Sequence, residues 1–257
     1  MRFLRAIGRA FLRFLAATGR LVLFTLTSLS YCFRPPIYFR QILRQMVEIG
    51  YYSLPVVGLT TLFTGMVLTL QSADGFGEFG DENAVASILV LSVTRELAPV
   101  LAGLMVAGRI GASMAAEIGT MRVTEQIDAL TTLATNPFRY LVVPRLIGGM
   151  TMLPLLVVIG NIIGVFGGFL IAIYELGFNG HQFIARAWDA LEWIGVISGL
   201  VKAAVFGFLI ALMGCYHGYH SKGGAQGVGM ATTNSVVSAS ILILSFNYLI
   251  TGLFFAT

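Results

Sequence analysis

Long apolar stretches separated by short polar segments make up most of this chain. About 20 residues are needed to cross roughly 30 Å of hydrocarbon as a helix. Five stretches reach that length, at residues 49–71, 84–108, 140–174, 194–219 and 234–255. Residues 21–33 are also apolar but too short to cross, which leaves an interfacial or a re-entrant placement open. The pattern predicts an all-α integral membrane protein with five transmembrane helices.

The first 20 residues have a different pattern, in which arginines recur at steps of three, four and seven. These arginines fall on one face of a helix and apolar residues fall on the other; they are Arg2, Arg5, Arg9, Arg13 and Arg20. Such a helix is typical of a segment lying on an anionic membrane surface. A basic targeting segment would look similar. We predict an N-terminal interfacial segment over residues 1–48, followed by one membrane domain over residues 49–257.

Composition supports a membrane location and gives little sign of catalysis. Apolar residues make up 57% of the chain and charged residues 11%, whereas soluble domains carry about 25% charge. The chain lacks the G-x-x-x-x-G-K-[ST] phosphate loop, and its HGYH sequence at 217–220 offers two histidines without a third metal ligand. We therefore expect no ATP hydrolysis, cofactor, metal or nucleic-acid partner for this chain itself.

The distribution of arginine and lysine predicts the orientation. Residues 1–48 contain eight arginines and one acid, and four more arginines lie between residues 109 and 145. The loop at 72–83 contains four acids and no basic residue. Because cytoplasmic loops carry the excess of basic residues, we predict a cytoplasmic N-terminus, a periplasmic C-terminus and a cytoplasmic position for residues 109–145.

A polar, helix-forming segment lies at residues 117–133, between the second and third spans. Thr124 is the predicted N-cap, which places Glu125 and Asp128 in the first turn, where the helix dipole favours acids. A helix on the membrane surface is one interpretation, but acidic residues are poorly suited to a negative inner leaflet. We favour a docking helix for a soluble protein, with Glu117, Glu125 and Gln126 available to that partner.

Three ionisable residues lie inside predicted spans, where each charge costs about 2.5–3.5 kcal/mol on insertion scales. Arg95 and Glu96 are in the second span and Lys202 is in the fourth. Arg95 and Lys202 could bind an anionic head group, with Glu96 balancing their charge. An interhelical ion pair, for example between Glu96 and Lys202, explains the same residues without any ligand.

Several ordered motifs resemble the MlaE permease family. The resemblance covers roughly residues 40–257, and the motifs are GMVLTLQ at 65–71, TRELAPVLAGLMVAGRIGASMAAEIGTMRVTEQIDAL at 94–130, NPFRYLVVPRL at 136–146, LVKAAVFGF at 200–208 and ATTNSVV at 231–237. It implies the membrane subunit of an ABC transporter that moves phospholipid between the inner and outer membranes. Its coupling helix would correspond to residues 117–133, and its head-group site to Arg95, Glu96 and Lys202.

The resemblance also implies partners. Two copies would form a homodimer in the bacterial inner membrane, with lipid in a cavity between them. Separate cytoplasmic ATPases would bind ATP and Mg²⁺ and dock through Glu117, Thr124, Glu125, Gln126 and Asp128. A periplasmic MCE-domain protein and a STAS-domain protein would complete the assembly.

One residue departs from the family pattern. Members often have an acid in the last span, in a motif like D-[FY]-[LV]-[LI]-T, where this chain has Asn247 in SFNYLIT. No ion pair can form there, and we expect Asn247 to form hydrogen bonds. An ion-coupled secondary transporter using Glu96 and a membrane scaffold without transport remain the alternative functions.

Overall fold

The protein is a bundle of long helices, seen in a computed structural model that describes residues 2–32, 34–36, 38–76 and 82–255. Within these ranges no strand occurs. The helices are α1 (Arg2–Cys32), α2 (Phe39–Gly50), α3 (Leu54–Phe76), α4 (Glu82–Ser92), α5 (Ala98–Val106), α6 (Ala112–Val123), α7 (Gln126–Thr132), α8 (Val143–Tyr174), α9 (Gly180–Asp189), α10 (Trp193–Tyr219) and α11 (Gly224–Phe255). The described part of the chain also contains π-helical turns at Val93–Leu97, Ala107–Gly111 and Phe138–Val142. The all-α membrane fold predicted from the sequence is confirmed.

The N-terminal region differs from the prediction because residues 2–32 form one continuous helix. Six helical segments of the described chain are long and apolar enough to cross a membrane, and the one not counted above is Leu15–Cys32. This segment was not predicted to cross the membrane, because its apolar stretch was taken to begin at Leu21 and not at Leu15. The basic face predicted for residues 1–20 lies outside the described side chains, apart from Arg20.

Aromatic contacts place the second half of α1 at one end of the bundle. The Phe24 ring lies 5.2 Å from that of Phe138 and 6.0 Å from that of Tyr219, and the Tyr31 ring lies 6.1 Å from that of Phe138. We call this end, which carries Arg109, Arg122, Arg139 and Arg145, the basic end. Both rings of α1 therefore pack against Phe138 at this end.

Several helices continue past the predicted spans. The second span, predicted to end at residue 108, continues through α6 to Val123, and the fifth begins at Gly224, ten residues before the prediction. Helices need not stop where the hydrocarbon stops, because intrahelical hydrogen bonds remain satisfied in water as well as in lipid. Hydropathy therefore located the spans but not the ends of their helices.

Helices α8 and α10 cross through glycines at the centre of the bundle. A Cβ built on Gly207 would lie 2.0 Å from the carbonyl oxygen of Gly149, and one built on Gly65 would lie 1.9 Å from that of Gly164. Small residues allow such close backbone contact, which stabilises membrane helix pairs through van der Waals packing. The same contacts hold α3 and α10 on either side of α8.

We expect Gly207→Ala to lower the stability of the purified protein in detergent by about 1–3 kcal/mol, because the added methyl group forces α8 and α10 apart. Thermal unfolding measures the loss. Gly252→Ala is the matched control, since a Cβ at that helical position meets open space. Equal melting temperatures for the two variants would contradict the close crossing of α8 and α10.

Candidate functional site

Arg95 and Glu96 lie in the π-helical turn Val93–Leu97, away from the basic end. Pro99 follows at the start of α5 and has no backbone N–H, so it cannot donate to the carbonyl of Arg95 in an α-helical bond. That carbonyl accepts a 3.0 Å hydrogen bond from Lys202 Nζ instead. Pro99 thus leaves the Arg95 carbonyl oxygen free to accept a hydrogen bond from Lys202 of α10. Such π-helical turns are frequent at functional sites.

Lys202 is enclosed within the bundle, with 0% of the residue exposed. Its Nζ lies 2.7 Å from Glu96 Oε1, and Glu96 retains 37% of its side-chain exposure. The structure therefore contains the Glu96–Lys202 ion pair that the sequence allowed as the explanation without a ligand. An anionic head group reaches Lys202 only if this pair opens.

Helix α11 completes the surroundings of Glu96. Asn247 Nδ2 donates to Glu96 Oε2 over 2.9 Å, and the Thr251 hydroxyl donates to Oε1 over 3.0 Å. Asn247 thus forms a hydrogen bond, as expected. With Lys202, these donors hold the carboxylate from two helices, and an acid at position 247 would face Glu96 with a second negative charge.

Arg95 points the other way, toward the start of α10. Its guanidinium pairs with Glu192, whose side chain is 55% exposed, and lies over the Phe255 ring at 4.6 Å. Arg95 Nε is buried and has no hydrogen-bond partner. An exposed pair of this kind contributes little stability, so an anionic ligand can replace Glu192 at small cost.

An apolar cavity of about 410 Å³ lies beside this cluster, between α4, α8 and α9. Its lining includes Thr94, which precedes Arg95, and the aromatic residues Phe166, Phe169 and Trp188. Asn179 caps the start of α9 by accepting hydrogen bonds from the backbone N–H groups of His181 and Gln182. The lining suits an acyl chain, because it is almost entirely hydrocarbon and aromatic.

The polar segment at the basic end is not the single helix predicted for residues 117–133. Helix α6 continues to Val123, and α7 begins at Gln126. The prediction of Thr124 as an N-cap was wrong: its hydroxyl donates to the carbonyl of Thr120 at the end of α6. Glu125 occupies the N-cap position of α7 with φ of 61° and makes no side-chain capping bond.

The predicted docking residues divide into exposed and paired ones. Thr124, Glu125, Gln126 and Asp128 are all exposed, whereas Ile127 is 1% exposed and anchors α7 in the core. Asp128 Oδ1 accepts a 2.7 Å bond from Arg122 Nη1, so it helps to hold α7 against α6. The side chains of Glu125 and Gln126 have no partner within the described ranges and present free polar groups at the surface.

Glu117 lies about two helical turns before this break and is tied to α8. Its Oε2 accepts a 2.6 Å bond from Arg145 Nη2, and the Arg145 side chain is only 4% exposed. Half of the Glu117 side chain remains accessible. The pair therefore ties α6 to α8.

The three charges inside the spans were predicted from the sequence, but their neighbours Glu192, Thr251 and Phe255 were not. Glu192 was not predicted because it lies 97 residues from Arg95 and no local pattern connects them. Pro99 was a usable signal: a proline inside an apolar span frees a carbonyl that some donor must satisfy.

Known proteins resemble this chain along nearly its whole length. A family model described as Permease MlaE matches residues 42–253. A probable ABC transporter permease protein of Rickettsia bellii is 55% identical over 250 residues, covering 97% of this chain and 96% of the relative. The intermembrane phospholipid transport system permease protein MlaE of Haemophilus influenzae is 31% identical over 258 residues, covering 99% and 98%. The chain belongs to the MlaE permease family.

Proposed function

We propose that this protein is the membrane subunit of an ABC transporter that moves phospholipid between the inner and outer membranes. One observation carries the proposal: similarity along 99% of the chain to a Haemophilus influenzae protein named as an intermembrane phospholipid transport permease. Two copies form the core in the inner membrane, with the basic end in the cytoplasm, the N-terminus on that side and the C-terminus in the periplasm. The excess of arginine at the basic end supports this orientation.

The energy comes from separate ATPases, which hold the ATP and Mg²⁺ and dock on residues 117–133. This chain itself hydrolyses nothing. The helical run from Glu82 to Val123 connects the two functional regions, since it carries Glu96 near one end and Glu117 near the other. At 1.5 Å per residue they are about 30 Å apart along one nearly continuous helix. ATPase closure moves the docking segment, and this run transmits the motion to the charged cluster.

At the cluster, Arg95 binds the lipid phosphate in place of Glu192. Arginine suits this role because its planar guanidinium can donate two hydrogen bonds to phosphate oxygens. Lys202 and Glu96 complete the substrate site: their ion pair fixes the turn that carries Arg95, and its opening would add Lys202 to the phosphate contacts. Apolar residues beside Arg95 hold the acyl chains. An MCE-domain protein at the outer end and a STAS-domain protein at the ATPases complete the proposed assembly.

Arg95→Gln is expected to lower ATP-dependent phospholipid transfer between two membranes about tenfold or more, because a charge-assisted phosphate contact is lost. The assay uses the complete transporter in one set of vesicles and acceptor vesicles for the lipid. Arg186→Gln is the control, since Arg186 is an exposed arginine on α9 at the same end. Unchanged transfer by Arg95→Gln would refute the head-group role, and transfer driven by an ion gradient without ATP would refute the transporter class.

A further inference from the structure

A second polar site lies at the basic end, far from the Arg95 cluster. A cleft of about 130 Å³ opens where α2 meets α6 and the start of α8. We call it the basic-end cleft; its polar lining consists of Gln41, Arg44, Gln45, Glu117, Tyr140 and Arg145. None of these residues except Glu117 enters the proposed transport function, and the cleft is about 30 Å from Arg95 by the length of the connecting helix.

Gln45 and Arg145, which line this cleft, both have polar atoms without a hydrogen-bond partner in the described chain. Gln45 is only 7% exposed, yet its side-chain amide has no partner within the described parts of the chain. Arg145 donates through Nη1 to the carbonyl of Leu141 and through Nη2 to Glu117, which leaves its Nε buried without an acceptor. Buried polar groups are nearly always paired. Gln45 lines the cleft, so a ligand there can accept a hydrogen bond from its amide.

The net positive charge of the cleft favours an anionic ligand. Arg44 and Arg145 contribute two positive charges, and Glu117 contributes one negative charge. Arg44 is exposed and has no ion pair within the described ranges, while Gln41 Nε2 donates to the Tyr140 hydroxyl over 2.8 Å and leaves that hydroxyl free to donate in turn. Guanidinium, amide and hydroxyl donors that converge on one small volume are suited to phosphate oxygens.

Helix α2 indicates where the phosphate comes from. Phe39, Leu43 and Val47 recur every four residues on this helix, and all three are exposed. Such an apolar stripe beside a basic face is typical of a helix in the membrane interface, which places the basic-end cleft at the depth of lipid head groups. We propose that the basic-end cleft binds the phosphate of a membrane phospholipid, at a site separate from the transport site.

A bound phosphate would lie beside the Glu117–Arg145 pair, which ties the docking segment to α8. Lipid at this position binds Arg44 and Gln45 of α2 beside this pair and adds a fixed anchor between α2 and α6. The lipid therefore holds the interfacial helix and the docking segment in one arrangement. Lipid binding in the basic-end cleft does not require transport, so its test is independent of the proposed function.

Photolabelling of the full-length protein in phosphatidylcholine nanodiscs tests the proposal. The probe is phosphatidylglycerol with a photoreactive group in its head group, and mass spectrometry reads labelling of residues 39–50 separately from labelling near Arg95. Arg44→Gln and Gln45→Glu are each expected to lower labelling of residues 39–50 about tenfold, because each variant weakens a charge-assisted contact. Arg40→Gln is the matched control, since Arg40 is an exposed arginine one turn away that does not line the cleft.

The expected pattern is loss in both cleft variants, normal labelling in Arg40→Gln, and weak labelling by a photoreactive diacylglycerol that lacks phosphate. Equal loss in Arg40→Gln would overturn the site in favour of general attraction to surface charge. Equal labelling by diacylglycerol would overturn phosphate recognition. Displacement of the lipid probe by millimolar inorganic phosphate would overturn the lipid as the source and assign the cleft to a free anion.

Discussion

Lys202→Met is expected to destabilise the protein by about 3 kcal/mol, the upper end of the range expected for Gly207→Ala. Lys202 is 0% exposed, and its removal leaves Glu96 without its ion-pair partner and the carbonyl of Arg95 without its donor. Breaking a buried ion pair by removing one partner typically costs about 3–5 kcal/mol. We expect the lower value, because Glu96 keeps 37% side-chain exposure and the bonds from Asn247 and Thr251. Thermal unfolding in detergent measures the loss.

Lys222→Met is the matched control, because Lys222 is the only other lysine of the chain and is exposed. Its melting temperature should equal that of the unmodified protein. The double variant Glu96→Gln with Lys202→Met should recover most of the stability, since no charge then remains unpaired and such cycles isolate the pair. A stable single variant would show that the pair does not hold the bundle together.

The double variant also separates the transporter from a membrane scaffold. A scaffold requires only that the helices pack, so restored stability would restore its function. The proposed transporter requires Arg95 in the turn that Lys202 holds through the carbonyl of Arg95. We therefore expect a stable double variant that transfers little phospholipid, and full transfer by this variant would favour a purely structural role for the pair.

The sequence predicted the fold well because the membrane imposes a simple constraint. Twenty apolar residues must be helical in lipid, since no other local structure satisfies its own backbone groups. The same constraint says nothing about residues beyond the hydrocarbon. The break at Thr124–Glu125 depends on how Ile127 and Asp128 pack against α6 and its surroundings, and that packing involves contacts which helix propensity does not describe.

The candidate site was only half predictable for a related reason. A charge in an apolar span is conspicuous in any sequence, so the amino-acid sequence alone was enough to select Arg95, Glu96 and Lys202. Their partners are conspicuous only in three dimensions: Glu192 is an ordinary loop acid, and Thr251 is an ordinary helix residue. Distance along the chain, 97 residues for Arg95–Glu192 and 155 for Glu96–Thr251, removes any local signal.

Glu125→Lys with Asp128→Lys is expected to abolish co-purification of the ATPase subunits. Both residues are exposed on the segment proposed to dock the ATPase, and the double change reverses the charge of that surface. Like-charge contacts across an interface cost several kcal/mol, which would lower affinity by at least about a hundredfold. Affinity purification of the membrane subunit, followed by quantification of bound ATPase, measures the effect.

Glu175→Lys with Asp189→Lys is the matched control, because it makes the same change in charge at exposed positions of the opposite end. The control should retain the ATPase. If both double variants lose it, general destabilisation explains the result. An intact complex with Glu125→Lys and Asp128→Lys would refute docking through this segment.

Single variants then distinguish direct contact from support of the segment's shape. Asp128→Asn breaks the exposed pair with Arg122, which is worth less than about 1 kcal/mol, so a loss of binding beyond severalfold would mean that Asp128 itself contacts the ATPase. Glu125→Gly removes a carboxylate but favours the backbone, because φ of 61° is unstrained for glycine. The segment therefore keeps its shape in Glu125→Gly. Glu125 is exposed and unpaired within the described chain, so its carboxylate is free to contact the ATPase. We therefore expect this variant to bind the ATPase about tenfold more weakly. Full binding would show that the ATPase recognises the shape of the break and not the Glu125 carboxylate.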